Sequence, residues 1–157
     1  MARFSNTSTT KLVTCSKNLQ LLFNRVVKTV DCTIVEGHRN RETQNRMFDR
    51  KRSQLCWPNS SHNIILSRAV DVVPYLHGID WRSEADLLKA IANKESVGKI
   101  MVIVHNIERW LYFVGFVMGT AKEMGIKIRW GGDWDGDTEL ADNNFDDWPH
   151  FEEILEE

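Results

Sequence analysis

Of the five histidines in this chain, two keep company that could do chemistry. His62 stands nine residues before Asp71 in the stretch SSHNIILSRAVDVVPY (60–75), and His150 follows Asp147 by three residues in FDDWPHFE (145–152). A carboxylate inside a valine run is expensive to bury without a partner. Asp71, in Ala69-Val70-Asp71-Val72-Val73, therefore needs something to face. Two histidines and one carboxylate drawn from separated segments can make a catalytic zinc site, with the fourth position left to water. A further carboxylate that is not a ligand can take that water's proton. His77 and His105 read as ordinary histidines, the latter with Glu108 three residues on, as on many solvated helix faces. His38 is notable for its neighbour, Arg39.

The elements that must hold these residues follow from apolar spacing. Residues 1–12 are a polar lead-in. From Cys15, with Ser16 as a plausible cap, Leu19, Leu22, Phe23, Val26, Val27 and Val30 recur at three and four, which predicts a helix to about Val30. Cys32–Val35 is a short β-branched strand left by a turn at Glu36–Arg39, and residues 41–52 read as helical. Ser60–Asn63 reads as a loop, and the valine run as a buried strand ended by Pro74. A loop with Gly78 leads to a helix over Glu84–Ala92, with Ser83 as its candidate cap. A long helical pattern covers Val97–Met124, bent near Gly115 and Gly119 and ended by Gly125. Ile126–Trp130 alternates as a strand, and the rest reads as a loop closing on a short apolar-acidic segment. No repeat or linker interrupts the pattern. The expected fold is α+β: one domain over 1–157, with a small antiparallel sheet flanked by helices.

Composition narrows the class. The chain has 157 residues, 42% hydrophobic, enough for a single core. A net charge of −2 argues against a nucleic-acid binder, and the basic run from Arg39 to Arg52 is interrupted by Glu42 and Asp49 as on a solvated face. That basic surface could alternatively attract anionic cell wall or lipopolysaccharide. Three cysteines without CxxC spacing suggest free thiols. The N-terminus lacks a signal-peptide pattern, and the most apolar run, Trp110–Met118, is far short of the roughly 18–20 residues of a transmembrane helix.

S-x-H followed by A-V-D-V-V-P and a late D-x-x-H-F-E resembles the zinc peptidases that include D-alanyl-D-alanine carboxypeptidases and dipeptidases. The likeness is nearest to the L-alanyl-D-glutamate peptidases used as phage endolysins. Val35-Glu36-Gly37-His38-Arg39-Asn40-Arg41-Glu42-Thr43-Gln44 looks like that group's V-x-x-G-x-R-t-x-x-x-Q segment, and Arg129-Trp130-Gly131-Gly132-Asp133-Trp134 resembles its R-x-G-x-D-W turn. The matches run in family order over residues 34–152. The resemblance implies zinc on His62, Asp71 and His150, with Asp147 as general base rather than the adjacent Asp146. It implies that Arg39 binds the scissile carbonyl and its oxyanion, and that Ser60 and Gln44 lie near the substrate or behind the ligands.

It further implies a monomeric endolysin acting on peptidoglycan stem peptides. Such a protein waits in the host cytoplasm until a holin gives access to the periplasmic wall, and lyses the host. The alternatives are a D-alanyl-D-alanine carboxypeptidase or dipeptidase of the same superfamily, and a non-catalytic wall-binding relative. The presence of both Asp147 and Arg39 argues against the last. Asp133, Asp135 and Asp137 alternate around Gly136 with an oxygen spacing that calcium loops use. The pattern is truncated, so an ordinary acidic turn stands beside calcium as its reading.

Overall fold

Alternation along the strand through Asp71 decides how the molecule is laid out. The computed structural model describes residues 2–75 and 84–154, so His77, Gly78 and the capping Ser83 lie outside the described residues. In chain order the elements are α1 (Asn6–Leu12), α2 (Lys17–Val26), β1 (Cys32–Glu36), α3 (Arg41–Asp49), a 3₁₀ turn (Ser61–Asn63), β2 (Ala69–Pro74), α4 (Glu84–Ala92), α5 (Val97–Glu123), β3 (Ile128–Gly131) and β4 (Asp147–Glu153). The strands form one antiparallel sheet in the order β1-β2-β4-β3. This is the expected α+β architecture.

Side chains on a strand alternate between faces, and directly paired residues share one. On β2, Val70 and Val72 point into the core, where α2 supplies Leu19, Leu22, Phe23 and Val26 and α5 supplies Phe113, Val117 and Ala121. Phe151 of β4, opposite Val70, packs edge-on against both Phe23 and Phe113, with centroids 5.6 and 6.0 Å away. The same parity sends Asp71, His150, Glu152 and Arg129 to the other face: Asp71 pairs with His150, and Arg129 with Glu152. One face of the sheet is core and the other carries chemistry.

Several local expectations are corrected. The polar lead-in contains α1, capped by Ser5, whose hydroxyl accepts the Ser8 N–H. Its buried Ser8 hydroxyl accepts the N–H of Ile34 in β1, a tie that no apolar periodicity announces. α2 begins under the Ser16 cap as expected but stops at Val26. The following turn tightens, with Lys28 N–H on Arg25 O and Thr29 N–H on Val26 O, before β1 begins. α3 stops at Asp49 rather than residue 52, because Lys51 is left-handed (φ 55°). Lys51 N–H then returns to Phe48 O and Arg52 N–H to Met47 O, a closed helix end of the Schellman kind.

α5 is continuous through Gly115 and Gly119. By length and composition it could cross a bilayer, more than the Trp110–Met118 run suggested. Its Phe113, Val114, Val117 and Ala121 instead build the core.

The largest correction is β4, expected as a loop. Pro149 speaks against an interior strand, but the pairing with β3 jumps from Trp130–Phe151 to Gly131–Asp147, so residues 148–150 bulge where a proline is tolerated. Gly131 permits this approach, since a Cβ there would run into the Asp147 carbonyl oxygen.

Candidate metal centre

Three chain segments deliver one side chain each to the open face of the sheet. β2 carries Asp71 and β4 carries His150 directly opposite it. The 3₁₀ turn carries His62, and Ser60 builds that turn. Ser60 Oγ accepts the His62 N–H, and Ser60 N–H donates to Asn63 Oδ1. Arg39 N–H on His62 O (2.8 Å) ties the turn to the segment leaving β1.

The three side chains converge on one point. His62 Nε2 lies 3.1 Å from Asp71 Oδ1, His150 Nδ1 lies 3.2 Å from the same oxygen, and the two nitrogens are 3.2 Å apart. Ligands about 2.0–2.1 Å from a tetrahedral zinc sit about 3.3–3.4 Å from one another. The spacing observed is close to that triangle.

The outer nitrogens decide what the inner ones can do. His62 Nδ1–H donates to Gly37 O at 2.7 Å, and His150 Nε2–H donates to Glu152 Oε2 at 3.2 Å. Both histidines therefore turn a lone pair toward Asp71. Two lone pairs and a carboxylate oxygen facing one another repel unless a cation or a proton lies among them. Gly37 can serve because it lacks a Cβ, which would meet the Lys11 carbonyl and the Thr14 hydroxyl.

The titration behaviour carries the same demand for positive charge. Burial alone would raise Asp71, yet His62 and His150 outweigh it and hold the carboxyl far below the usual range. Burial alone would lower His150, yet hydrogen bonds to Asp71 and Glu152 and the Asp71 and Asp147 charges push it up to about 9. Glu152 is brought down to about 2, its burial being outweighed by hydrogen bonds from His150 and Ser61 and by the His150 and Arg129 charges. A shared proton or a metal ion among the three would each supply that charge.

The remaining candidates take distinct places. Arg39 is buried: one terminal nitrogen reaches Asp71 Oδ2 at 3.2 Å and the other Gln44 Oε1 at 3.1 Å. Its Nε, 3.6 Å from Glu36 Oε2, makes no hydrogen bond among the described residues. Gln44 is fully buried behind the site and joins Arg39, Asn63, Ser53 and Leu55 through its amide. Asp147 lines the cleft above the centre and its pKa is raised, by burial first and then by the Asp71 charge. Asp146 is exposed and does not line the cleft. That cleft holds about 670 Å³, with Arg39, Ser60, His62, Asp71, Asp147 and His150 on its surface.

Asp133, Asp135 and Asp137 bring carboxylate oxygens within 4.8 Å of one another. Asp133 accepts the Gly136 and Thr138 N–H groups and Asp137 that of Glu139, so hydrogen bonds within the loop already account for its shape.

Glu152, Arg129 and Trp134 stand within the D-x-x-H-F-E and R-x-G-x-D-W motifs, but sequence reasoning assigned them no role at the centre. Arg129 Nε holds Glu152 Oε1 at 2.6 Å, the Arg129 guanidinium lies 5.4 Å from the Trp134 ring, and that ring lies 5.3 Å from His150. The signal was period-two parity, which places residues 150 and 152 on one face once β4 is recognised as a strand.

Residues 1–99 match the family model described as phage L-alanyl-D-glutamate peptidase. The matched span holds Arg39, His62 and Asp71, and β4 adds His150 from beyond it. No curated protein matches the chain in sequence. Among solved structures, the chain is similar to the L-Ala D-Glu endopeptidase ChiX of Serratia marcescens. The TM-score is 0.64 at 22% identity, covering 98% of this chain and 90% of that one, a likeness of fold.

Proposed function

Because this chain belongs to the phage L-alanyl-D-glutamate peptidase family, we propose that its His62–Asp71–His150 centre holds zinc and cuts the L-alanyl-D-glutamate bond of peptidoglycan stem peptides. It is a peptidoglycan endopeptidase by family. The zinc reading is supported above all by one observation: three ligand atoms 3.1–3.2 Å apart, with the outer nitrogen of each histidine already spent on an acceptor. Two nitrogens and one oxygen are a donor set that zinc takes in catalytic sites. Zinc bound there would polarise the scissile carbonyl and lower the pKa of the attacking water toward about 7.

The chain's own residues do the rest. Asp147 takes a proton from the attacking water and returns it to the amine of D-glutamate as the C–N bond breaks. A carboxylate raised by burial is the better base and acid for that exchange near neutral pH. Arg39 holds the outer oxygen of Asp71, so that Oδ1 faces the two histidine nitrogens, and places a permanent cation beside the carbonyl oxygen as it gains charge. Gln44 holds Arg39 and the wall of the cleft in one network. Release from the host cytoplasm through a holin, onto periplasmic peptidoglycan, is the biological setting we infer from the family's phage origin.

Mass spectrometry of digested peptidoglycan tests the bond assignment. New N-terminal D-glutamate is expected, and released D-alanine would favour the carboxypeptidase alternative.

A further inference from the structure

The cleft over the metal centre is lopsided in charge. One wall is the segment Arg52–Leu55 that leaves α3, and its one charged side chain is Arg52. The other wall is the β3–β4 loop, which contributes Asp135 and Asp142 and no cation between Trp134 and Phe145. In the strand order β1-β2-β4-β3 the first wall follows β1 and α3 in the chain and the second joins the other edge strand, β3, to β4, with the Asp71–His150 pair on the two central strands. Asp142 on the acidic wall is held above an ordinary aspartate, by desolvation first and then by the charges of Asp137 and Asp135.

Three arginines line the cleft, and two are engaged. Arg39 is held by Asp71 and Gln44, and Arg129 by Glu152. Arg52 has no side-chain partner among the described residues. Its backbone is nevertheless fixed, by the Arg52 N–H bond to Met47 O that closes α3 and by Gln44 Nε2 on the neighbouring Ser53 Oγ at 2.9 Å. A free cation is thus mounted on a rim tied to the buried network of the site.

The substrate is lopsided in the same sense. Glutamate has two carboxyl groups, and a linear stem peptide continues through one, so the other stays free and anionic. The alanyl side of the scissile bond offers only a methyl. We propose that the stem peptide lies across the cleft with its D-glutamyl side against the Arg52 wall, and that Arg52 binds the free carboxylate. The acidic wall repels that carboxylate, so the peptide enters in one direction. This inference rests on the bond assignment proposed above.

Two synthetic stem peptides test it, one with the free glutamyl carboxylate and one with that group as a carboxamide, cleaved by wild type and by Arg52→Gln. Wild type should show a KM about tenfold lower for the carboxylate peptide, the worth of one charge-assisted hydrogen bond at a solvated rim. Arg52→Gln should raise that KM about tenfold and leave the carboxamide KM and both kcat values within about twofold, because the cation touches neither the metal centre nor the reacting atoms. An equal effect on both peptides, or a fall in kcat at constant KM, overturns the role of Arg52. Identifying the products separates the two claims. Peptides cut at the expected bond with a carboxylate-independent effect refute Arg52 alone, whereas products from another bond refute the bond assignment and this inference with it.

Discussion

Replacing Glu152 with Gln separates the orientation of the metal centre from its ligand set. Glu152 Oε2 accepts the His150 Nε2–H, Oε1 accepts Arg129, and the side chain is 12% exposed. Glutamine keeps the shape and one acceptor but loses the charge. A hydrogen bond to a charged group contributes roughly 1.5–3 kcal/mol and a neutral one roughly 0.5–1.5 kcal/mol. The difference reaching His150 is about 1–1.5 kcal/mol, or about tenfold in zinc affinity, at the low end of the roughly 10–100-fold effect of such partners.

The proton that competes with zinc adds a pH signature. His150 is pushed up to about 9, so in the metal-free protein it holds its proton below that pH and loses it above. At pH 7 the metal must displace that proton, a handicap of about a hundredfold. The Glu152 hydrogen bond is one of the causes holding this pKa up, so Glu152→Gln loosens the proton as well as the metal. The loss of zinc affinity should be small at pH 7, where weaker proton competition offsets it, and approach about tenfold at pH 9.5, where His150 is mostly deprotonated. Competition against a chelator of known affinity at the two pH values reads this directly. Wild-type affinity at pH 9.5, or a larger loss at pH 7 than at pH 9.5, would refute the reasoning.

Asp147→Asn should keep stoichiometric zinc and lose on the order of 10²–10⁴ in kcat, while Asp146→Asn stays near wild type; the reverse pattern would hand the base to Asp146. Arg39→Lys cannot span Asp71 and Gln44 with one ammonium, so kcat should fall on the order of 10²-fold with zinc still bound at saturating metal. Wild-type turnover in that variant would remove Arg39 from the site chemistry. Chelation should abolish activity and, relative to protein with free zinc at about 100 times its Kd, lower the Tm by about 5–10 °C. An unchanged calorimetric Tm would mean that the buried histidines do not depend on a metal.

The three residues that meet on the sheet face stood out in the sequence as a possible donor set, through a carboxylate in a valine run and two histidines in separated segments, and the family resemblance singled them out as ligands. Ser16 announced α2 because capping is local. β4 was not legible, since Pro149 hides a strand unless one knows that β3 allows a bulge at Gly131. With β4 went Glu152 and Arg129, whose role depends on cross-strand register. Gly37 offers His62 a carbonyl, and no side-chain pattern can signal that. α1 was hidden for a related reason, because it is anchored by the Ser8 hydroxyl rather than by an apolar stripe.

A crystal structure of the zinc-loaded protein, with anomalous data collected at the zinc edge, tests the centre most directly. One peak is expected at about 2.0–2.2 Å from His62 Nε2, Asp71 Oδ1 and His150 Nδ1, with Glu152 still on the far nitrogen of His150. A peak that engages His150 through Nε2, a peak in the 133–137 loop alone, or full activity in crystals without zinc would contradict it.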